Sequence, residues 1–354
     1  MLKILFAPLQ GYTTGIYRKA HAEIFGGVDA YYTPFLRIEN GKPREKDLRD
    51  LEIANADYAN VKCAGIAEGI ARDRNARKEN CAGYKVVPQI IANSVDEFKI
   101  LANALIAKGY TEIDFNMGCP FPMQVNRHRG AGLLSDIQAV QEIMDEIRKL
   151  SSVTNGTTPA MAKVTAPIKL SVKMRLGQDT PNEAFALLPI LNEAPLTQIT
   201  LHPRLGKQQY KGAIDFKSFE NFYEECSHPL VYNGDITSVS QICEMERKYP
   251  KLAGVMIGRG MLARPSLAME YKGLRDINSA ATAQDFLGKI FQMHQIIFDY
   301  ACKTYQGDSQ ILSHVQNFWE YLEPSFPKKI FKKIKKAGKL SEYQEAIMEM
   351  RGQS

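Results

Sequence analysis

Ile113-Asp114-Phe115-Asn116-Met117-Gly118-Cys119-Pro120 is a short apolar run that breaks abruptly into polar and turn-forming residues. A run of that length, closed by Gly and Pro, reads as a buried strand that delivers a thiol at its C-terminal end. The same pattern recurs on both sides. Before it stand Ile4-Leu5-Phe6-Ala7, Ala30-Tyr31-Tyr32-Thr33 and Val86-Val87-Pro88-Gln89-Ile90-Ile91; after it come Ile168 to Met174, Gln198 to His202, Leu230 to Asn233 and Gly254 to Gly258. Helical patterns fill the intervals. Ser94-Val95-Asp96-Glu97 has the form of a capping box ahead of Phe98, Leu101 and Leu105, and Ser135 opens a helix carrying Val140, Ile143, Met144 and Ile147. Phe219, Phe222 and Tyr223 fit a third helix, and Val239, Ile242 and Met245 a fourth. Alternating strands and helices call for parallel pairing through crossover helices. Eight such units predict a (β/α)8 TIM barrel with its site at the C-terminal ends of the strands; an open doubly wound sheet is the alternative.

Two stretches interrupt the rhythm: residues 36–85, long and highly charged, and the Ser/Thr-rich 151–166, which reads as a surface loop. Past about residue 280 the strand signal stops. Phe286, Ile290, Met293, Ile297 and Tyr300 mark one amphipathic helix, and Leu312 to Leu322 another. The expected division is therefore a barrel over 1–275 and a small all-helical domain over 280–354. The tail holds Lys328-Lys329-Ile330-Phe331-Lys332-Lys333-Ile334-Lys335-Lys336, a cationic run with apolar residues at helical spacing. Such a run is either a solvated face or a phosphate-contacting surface.

The chain has 354 residues, 45% hydrophobic and 24% charged, with a net charge of +6, which is ordinary globular composition with a mild basic excess. That excess suits a polyanionic partner without requiring one. The six cysteines, at 63, 81, 119, 226, 243 and 302, include no C-x-x-C pair, so neither a metal site nor a disulfide framework is expected. The apolar start, Met1 to Ala7, stops at Pro8, too short for a signal sequence. No run approaches the ~18 apolar residues of a membrane span. A cytoplasmic monomer is expected.

The strand ends carry the chemistry. Asn233-Gly234-Asp235 and Gly258-Arg259-Gly260 put glycines on strands seven and eight, where barrels commonly bind phosphate, although plain turn chemistry reads the same way. Arg259 can add a charge-assisted contact. Lys173 leaves a buried strand end, where an unpaired ammonium is costly, so it needs an anionic or polar partner. A flavin that gains negative charge on reduction fits; a salt bridge to Asp114 is the alternative. His202, Gln89 and Gln10 can bond a heterocycle's edge. Cys119, beside Asn116, is the candidate proton donor, because an ordinary thiol of pKa ~8.5 is mostly protonated at neutral pH.

These motifs resemble, in order, those of the tRNA-dihydrouridine synthases. The resemblance rests on Ala7-Pro8-Leu9-Gln10-Gly11, on Asn116 to Pro120 with Val125 and Gly130-Ala131-Gly132-Leu133-Leu134, and on Val172 to Gly177. His202-Pro203-Arg204 with Gln209-Tyr210-Lys211-Gly212, Asn233-Gly234-Asp235 and Ile257 to Gly260 complete it, over roughly residues 1–270. Tyr32 to Arg37 is most similar to the bacterial C type. The resemblance implies an FMN barrel joined to a helical domain that grips tRNA. Pro8, Leu9, Gln10, Gln89, Lys173 and His202 would contact the flavin ring and ribityl region; Asn233, Gly234, Asp235, Gly258 and Arg259 would hold its phosphate end. Cys119 matches the family's proton donor and Asn116 a residue near flavin and base. Arg37, Arg204 and Tyr210 fall at the RNA, and Arg127 and Arg129 are placed to hold its phosphates.

The implied reaction passes hydride from NADPH or NADH through FMN to C6 of a flipped-out uridine, with Cys119 protonating C5. An FMN barrel oxidoreductase acting on a free pyrimidine-like metabolite is the alternative, and the basic tail weighs against it. Three departures from the family pattern stand out. Leu205-Gly206 replaces the common Thr-Arg, the 36–85 connection is long and carries Cys63 and Cys81, and His314-Val315-Gln316 stands where the C type has basic residues.

Overall fold

A computed structural model describes residues 1–56, 84–152, 167–273 and 280–352. Cys63, Cys81 and nearly all of the Ser/Thr-rich stretch lie outside the described residues. The barrel strands are β1 (Lys3–Phe6), β2 (Ala30–Tyr32), β3 in two segments (Val86–Val87 and Gln89–Ile90), β4 (Glu112–Met117), β5 (Lys169–Gly177), β6 (Leu196–Leu205), β7 (Leu230–Tyr232) and β8 (Gly254–Ile257). Every pair among them is parallel, and β8 returns to β1 in a register running from Lys3 opposite Gly254 to Phe6 opposite Ile257. The (β/α)8 expectation is met, with one elaboration at β3. Pro88 has no N–H to give to a ladder. On its N-terminal side Val86 and Val87 pair with β2; on its C-terminal side Gln89 and Ile90 pair with β4. One interrupted strand thereby closes the ring, and its own carbonyl at Pro88 accepts the Asp114 N–H at 2.9 Å.

The capping box expected at Ser94 forms in half. Its hydroxyl accepts the Glu97 N–H, but the Glu97 carboxylate turns to the N–H of Asn93 instead. The next helix begins at Ile137 rather than Ser135, because Asp136 supplies the cap by accepting the Ala139 N–H at 3.0 Å. Behind these helices Phe98, Leu101 and Leu105 are fully buried, and Phe98 meets the strand residue Phe115 edge to face at 5.4 Å. Within the 36–85 connection the described part forms a small hairpin, Ile38–Glu39 with Lys42–Pro43, and a helix from Glu45 to Ala56.

The tail is helical, as expected: Ala280–Thr304, Asp308–Val315, Lys328–Lys336 and Leu340–Gly352, with a 3-10 stretch at Gln316–Ser325. The continuous helix expected over Leu312 to Leu322 is instead broken at Val315. Gln316 sends its side-chain N–H groups to the carbonyls of Ile334 and Ala337, both at 3.0 Å, and so caps the end of the cationic helix. The tail's interior is organised on the Tyr343 hydroxyl, which accepts the Trp319 indole N–H at 2.8 Å and meets His294 Nε2 at 2.7 Å. Burial pushes His294 down to about 3, so the ring is neutral. Tail and barrel share one apolar cluster that runs from Leu2 to Met350. Contacts across the junction include Tyr17 with Phe318, Phe25 with Phe286 and Tyr12 with Tyr321. The Tyr12 hydroxyl also donates to Glu320 at 2.9 Å.

Tyr343→Phe strands the indole N–H in an apolar interior. Removing one partner of a buried hydrogen bond costs about 2 kcal/mol. Urea denaturation should show that loss without change of slope, and an unchanged midpoint would contradict it.

Candidate active site

The C-terminal strand ends surround a cavity of about 500 Å3, within the range of ordinary small-molecule sites. Its wall holds Pro8, Leu9 and Gln10 from the β1 loop, Gln89 from β3, Asn116 and Cys119 from β4, and Lys173 and His202 from β5 and β6. Tyr210 contributes from the β6 loop, and Asn233, Gly234, Asp235, Gly258 and Arg259 from the ends of β7 and β8. Cys119 and Lys173 are therefore at the same mouth. Pairing of β4 with β5 sets Asn116 directly opposite Lys173.

Among the described residues the Lys173 ammonium has no hydrogen-bond or ion-pair partner, although it is half-buried in the wall. Burial and the neighbouring Arg175 charge lower it to about 8, against the pull of Asp114 and Cys119. The expected alternative, a salt bridge to Asp114, does not form. Asp114 is instead bonded by Gln89 and Ser171, both at 2.6 Å, and burial raises its carboxyl to about 7. His202 is held well below its ordinary value by burial and by Arg175, so it is a neutral ring at the cavity. Burial pushes the Cys119 thiol above the ordinary 9.0, with only partial relief from the Phe121 backbone and nearby cations. The group is a protonated thiol at neutral pH. Gly130 lets the following loop fold over it: its φ is +60°, and a Cβ there would lie 2.7 Å from that of Cys119.

The phosphate end is more closed than the sequence suggests. Asp235, in the left-handed region at φ 40°, spreads its carboxylate between the guanidinium groups of Arg204 and Arg259. Only its backbone is free to serve an anion. Gly260 answers to packing rather than to a ligand, because a Cβ there would meet the Ile236 carbonyl at 1.9 Å. Arg259 lies half-exposed over the Tyr210 ring at 4.6 Å, and Arg175 sits 5.6 Å from the same ring.

Two residues expected at the RNA are bonded within the protein. Arg204 is buried, with its remaining N–H groups on the Gly212 carbonyl at 3.1 and 2.8 Å, so it braces the β6 loop. Arg129 is buried too and forks onto Glu97, which pins the loop after Cys119. Arg37 lies outside the cavity, paired with Asp47 at 3.2 Å. Arg127 is exposed.

Arg175 carries more than the sequence assigned it. It is buried, donates to the Gly118 carbonyl at 3.0 Å and reaches the carbonyls of Leu205 and Gln209, tying the cysteine turn to the β6 loop. Its two-residue spacing from Lys173 is the signal that could have found it, since alternate strand residues share a face. Tyr321, from the helical tail, also lines the cavity, and no local pattern announces it.

The donor set fits FMN. An unpartnered ammonium in the wall, a neutral imidazole and a half-exposed arginine beside glycine-rich turns suit a flat ring that gains charge on reduction and carries a phosphate tail. Fold and site together define a barrel pocket of cofactor size with a protonated thiol in its wall. A family model described as Dihydrouridine synthase (Dus) matches residues 66–350. The tRNA-dihydrouridine(16) synthase of Haemophilus ducreyi is 26% identical over 65% of this chain and 64% of that protein, just under two thirds of its length. Those of Neisseria meningitidis serogroup A and Pseudomonas syringae pv. tomato are 25% and 27% identical, each over 76% of this chain and over 71% and 74% of theirs. Among solved structures, morphinone reductase in complex with tetrahydroNAD aligns at a TM-score of 0.49 with 10% identity, covering 79% of this chain and 89% of that one, too slight a likeness to bear on function. The chain belongs to the dihydrouridine synthase family, and its enzyme class is that of the flavin-dependent oxidoreductases.

Because the thiol is raised, alkylation of Cys119 by iodoacetamide should stay slow through neutral pH and climb only as pH passes 9.0. Peptide mass spectrometry across a pH series reads this, and a midpoint below that value would exclude a protonated acid here.

Proposed function

We propose that this chain reduces the C5–C6 double bond of a uridine in tRNA, with Cys119 as the acid. The observation that carries the reading is the pairing of a protonated Cys119 thiol with an unpartnered Lys173 ammonium at one cavity of ligand size. When bound, FMN would take hydride from NADPH or NADH and supply it to uracil C6. Pro8, Leu9, Gln10, Gln89 and His202, all in the cavity wall, would hold its ring and ribityl chain. Lys173 supplies positive charge beside the edge where reduction builds negative charge. Asn233, Gly234, Asp235 (through its backbone), Gly258 and Arg259 hold the phosphate. Cys119 Sγ keeps a proton for C5, and Asn116 and Tyr210 face the base.

A base reaches this depth only by leaving its stack, at a cost of a few kcal/mol that is least in loops. The relatives' names point to position 16 as the target. Residues 1–275 are assigned the chemistry and 280–354 the grip on tRNA. In the helix Lys328–Lys336 the apolar residues Ile330, Phe331 and Ile334 are buried, while Lys328, Lys329, Lys332, Lys333 and Lys336 line an open groove suited to phosphates. Arg127, exposed on the loop after Cys119, offers a further cation to the phosphates. No helix among the described residues is long and apolar enough to cross a membrane, and no described cluster of His, Cys, Asp and Glu suits a metal. We assign the protein to the cytoplasm as a monomer.

Mapping dihydrouridine in tRNA from cells lacking this protein tests the reading: position 16 should revert to uridine, and an unaltered map would refute it. Cys119→Ala should retain bound flavin yet lower dihydrouridine formation on the order of 100-fold or more. Replacing the lysines of Lys328–Lys336 with glutamine should weaken tRNA binding and reduce the salt slope by roughly one unit for each phosphate no longer neutralised. An unchanged slope would place the RNA elsewhere.

A further inference from the structure

The barrel interior beneath the cavity contains a buried carboxyl that the reaction does not use. Asp114 is fully buried on β4, opposite Gln89 of β3 on one side and Ser171 of β5 on the other. Its two oxygens are both engaged. Oδ1 accepts the Ser171 hydroxyl at 2.6 Å and Oδ2 accepts Gln89 Nε2 at 2.6 Å. Gln89 Oε1 then accepts Asn116 Nδ2 at 2.7 Å, and Asn116 Oδ1 accepts the backbone N–H groups of Gly118 at 3.0 Å and Cys119 at 2.9 Å.

The direction of this chain of bonds is not free once the carboxyl is ionised, as it is when pH passes its raised value of about 7. The carboxylate then only accepts, so it draws the NH2 end of Gln89 toward itself, and the carbonyl end must face Asn116. That in turn commits the NH2 of Asn116 to Gln89 and its carbonyl to the turn that carries the thiol. Within a low-dielectric interior a reversed amide would set like against like at two points. We propose that Asp114 is a positioning residue for the reaction, which, by fixing the amide directions of Gln89 and Asn116, holds the Gly118-Cys119 turn and hence the thiol in place. It touches neither the base nor the reacting atoms. This rests on the reading of Cys119 as the acid.

The test compares Asp114→Asn, which keeps an acceptor and removes the charge, with Asp114→Leu, which removes the acceptor at similar volume. Two quantities are read on the flavin-loaded enzyme. One is the single-turnover rate with tRNA; the other is the alkylation rate of Cys119 at one alkaline pH, followed on its own peptide. Asp114→Leu should slow the tRNA step by about tenfold or more, since small misplacements cost that much. It should also speed alkylation by about fivefold, because a loosened turn exposes the thiol of a residue now only 7% exposed. Asp114→Asn should restore both toward the parent values, because Ser171 can accept from the new NH2 while the carbonyl still accepts from Gln89. Equal damage in the two variants would overturn the proposal in favour of a pure charge effect on Lys173. Parent-like behaviour in both would overturn it outright. If Asp114→Leu does not fold, Gln89→Met interrupts the same chain one step on and should produce the same faster alkylation; parent-like alkylation there would equally overturn the proposal. The alkylation reading needs no RNA, so a wrong assignment of the substrate leaves it intact and is told apart from a failed relay.

Discussion

A parallel sheet has two edges of unpaired backbone groups, and everything in this protein depends on removing both. Pairing of β8 with β1 joins the ends of the chain's strand order, and the proline-broken β3 completes the ring by giving half its length to each neighbour. Closure gathers all eight C-terminal strand ends around one opening. Without it Cys119 on β4 and Arg259 after β8 would belong to distant parts of a sheet; with it they line one cavity.

The opening is strongly cationic and poorly neutralised. Lys173, Arg175 and Arg259 line it, and Arg204 lies just behind. The nearby carboxylates are Asp235, held below its ordinary value chiefly by the hydrogen bond from Arg204, and Asp114, which lies deeper and is raised by burial. Burial and repulsion from neighbouring cations lower Lys173 and bring Arg175 down to about 10. The geometry therefore stores unfavourable electrostatic energy that an anionic ligand would relieve, which is the arrangement of a binding site rather than of a structural ion-pair network. Cys119 meets the opposite condition, since burial keeps its proton on.

Much of this was legible in the residues. Apolar runs ending in Asn, Gly, Pro and basic residues located the strands and their functional ends, because the period of a buried strand and the chemistry of turns are local properties. The departures share a cause. Arg204 and Arg129 look like surface cations in sequence, yet Asp235 and Glu97 lie 31 and 32 positions away and claim them. The break at Val315 depends on carbonyls at Ile334 and Ala337, and the part played by Tyr321 depends on how the tail docks against Tyr12. No window of a dozen residues contains those partners. Asp114 was visible as a neighbour for Lys173, but its real partners are side chains on two adjoining strands.

The shared apolar cluster has a mechanical consequence. Tyr321 stands in the cavity wall, and its own segment, Gln316–Ser325, is tied through Gln316 to the end of the Lys328–Lys336 helix, so the lysine groove is joined to the wall that holds the thiol. Tyr17 against Phe318 and Phe25 against Phe286 fasten the junction between tail and barrel. A polyanion seated on those lysines would offer the cavity only what lies one set span along its contour, and the protein would choose its nucleotide as a ruler does, by length rather than by reading letters.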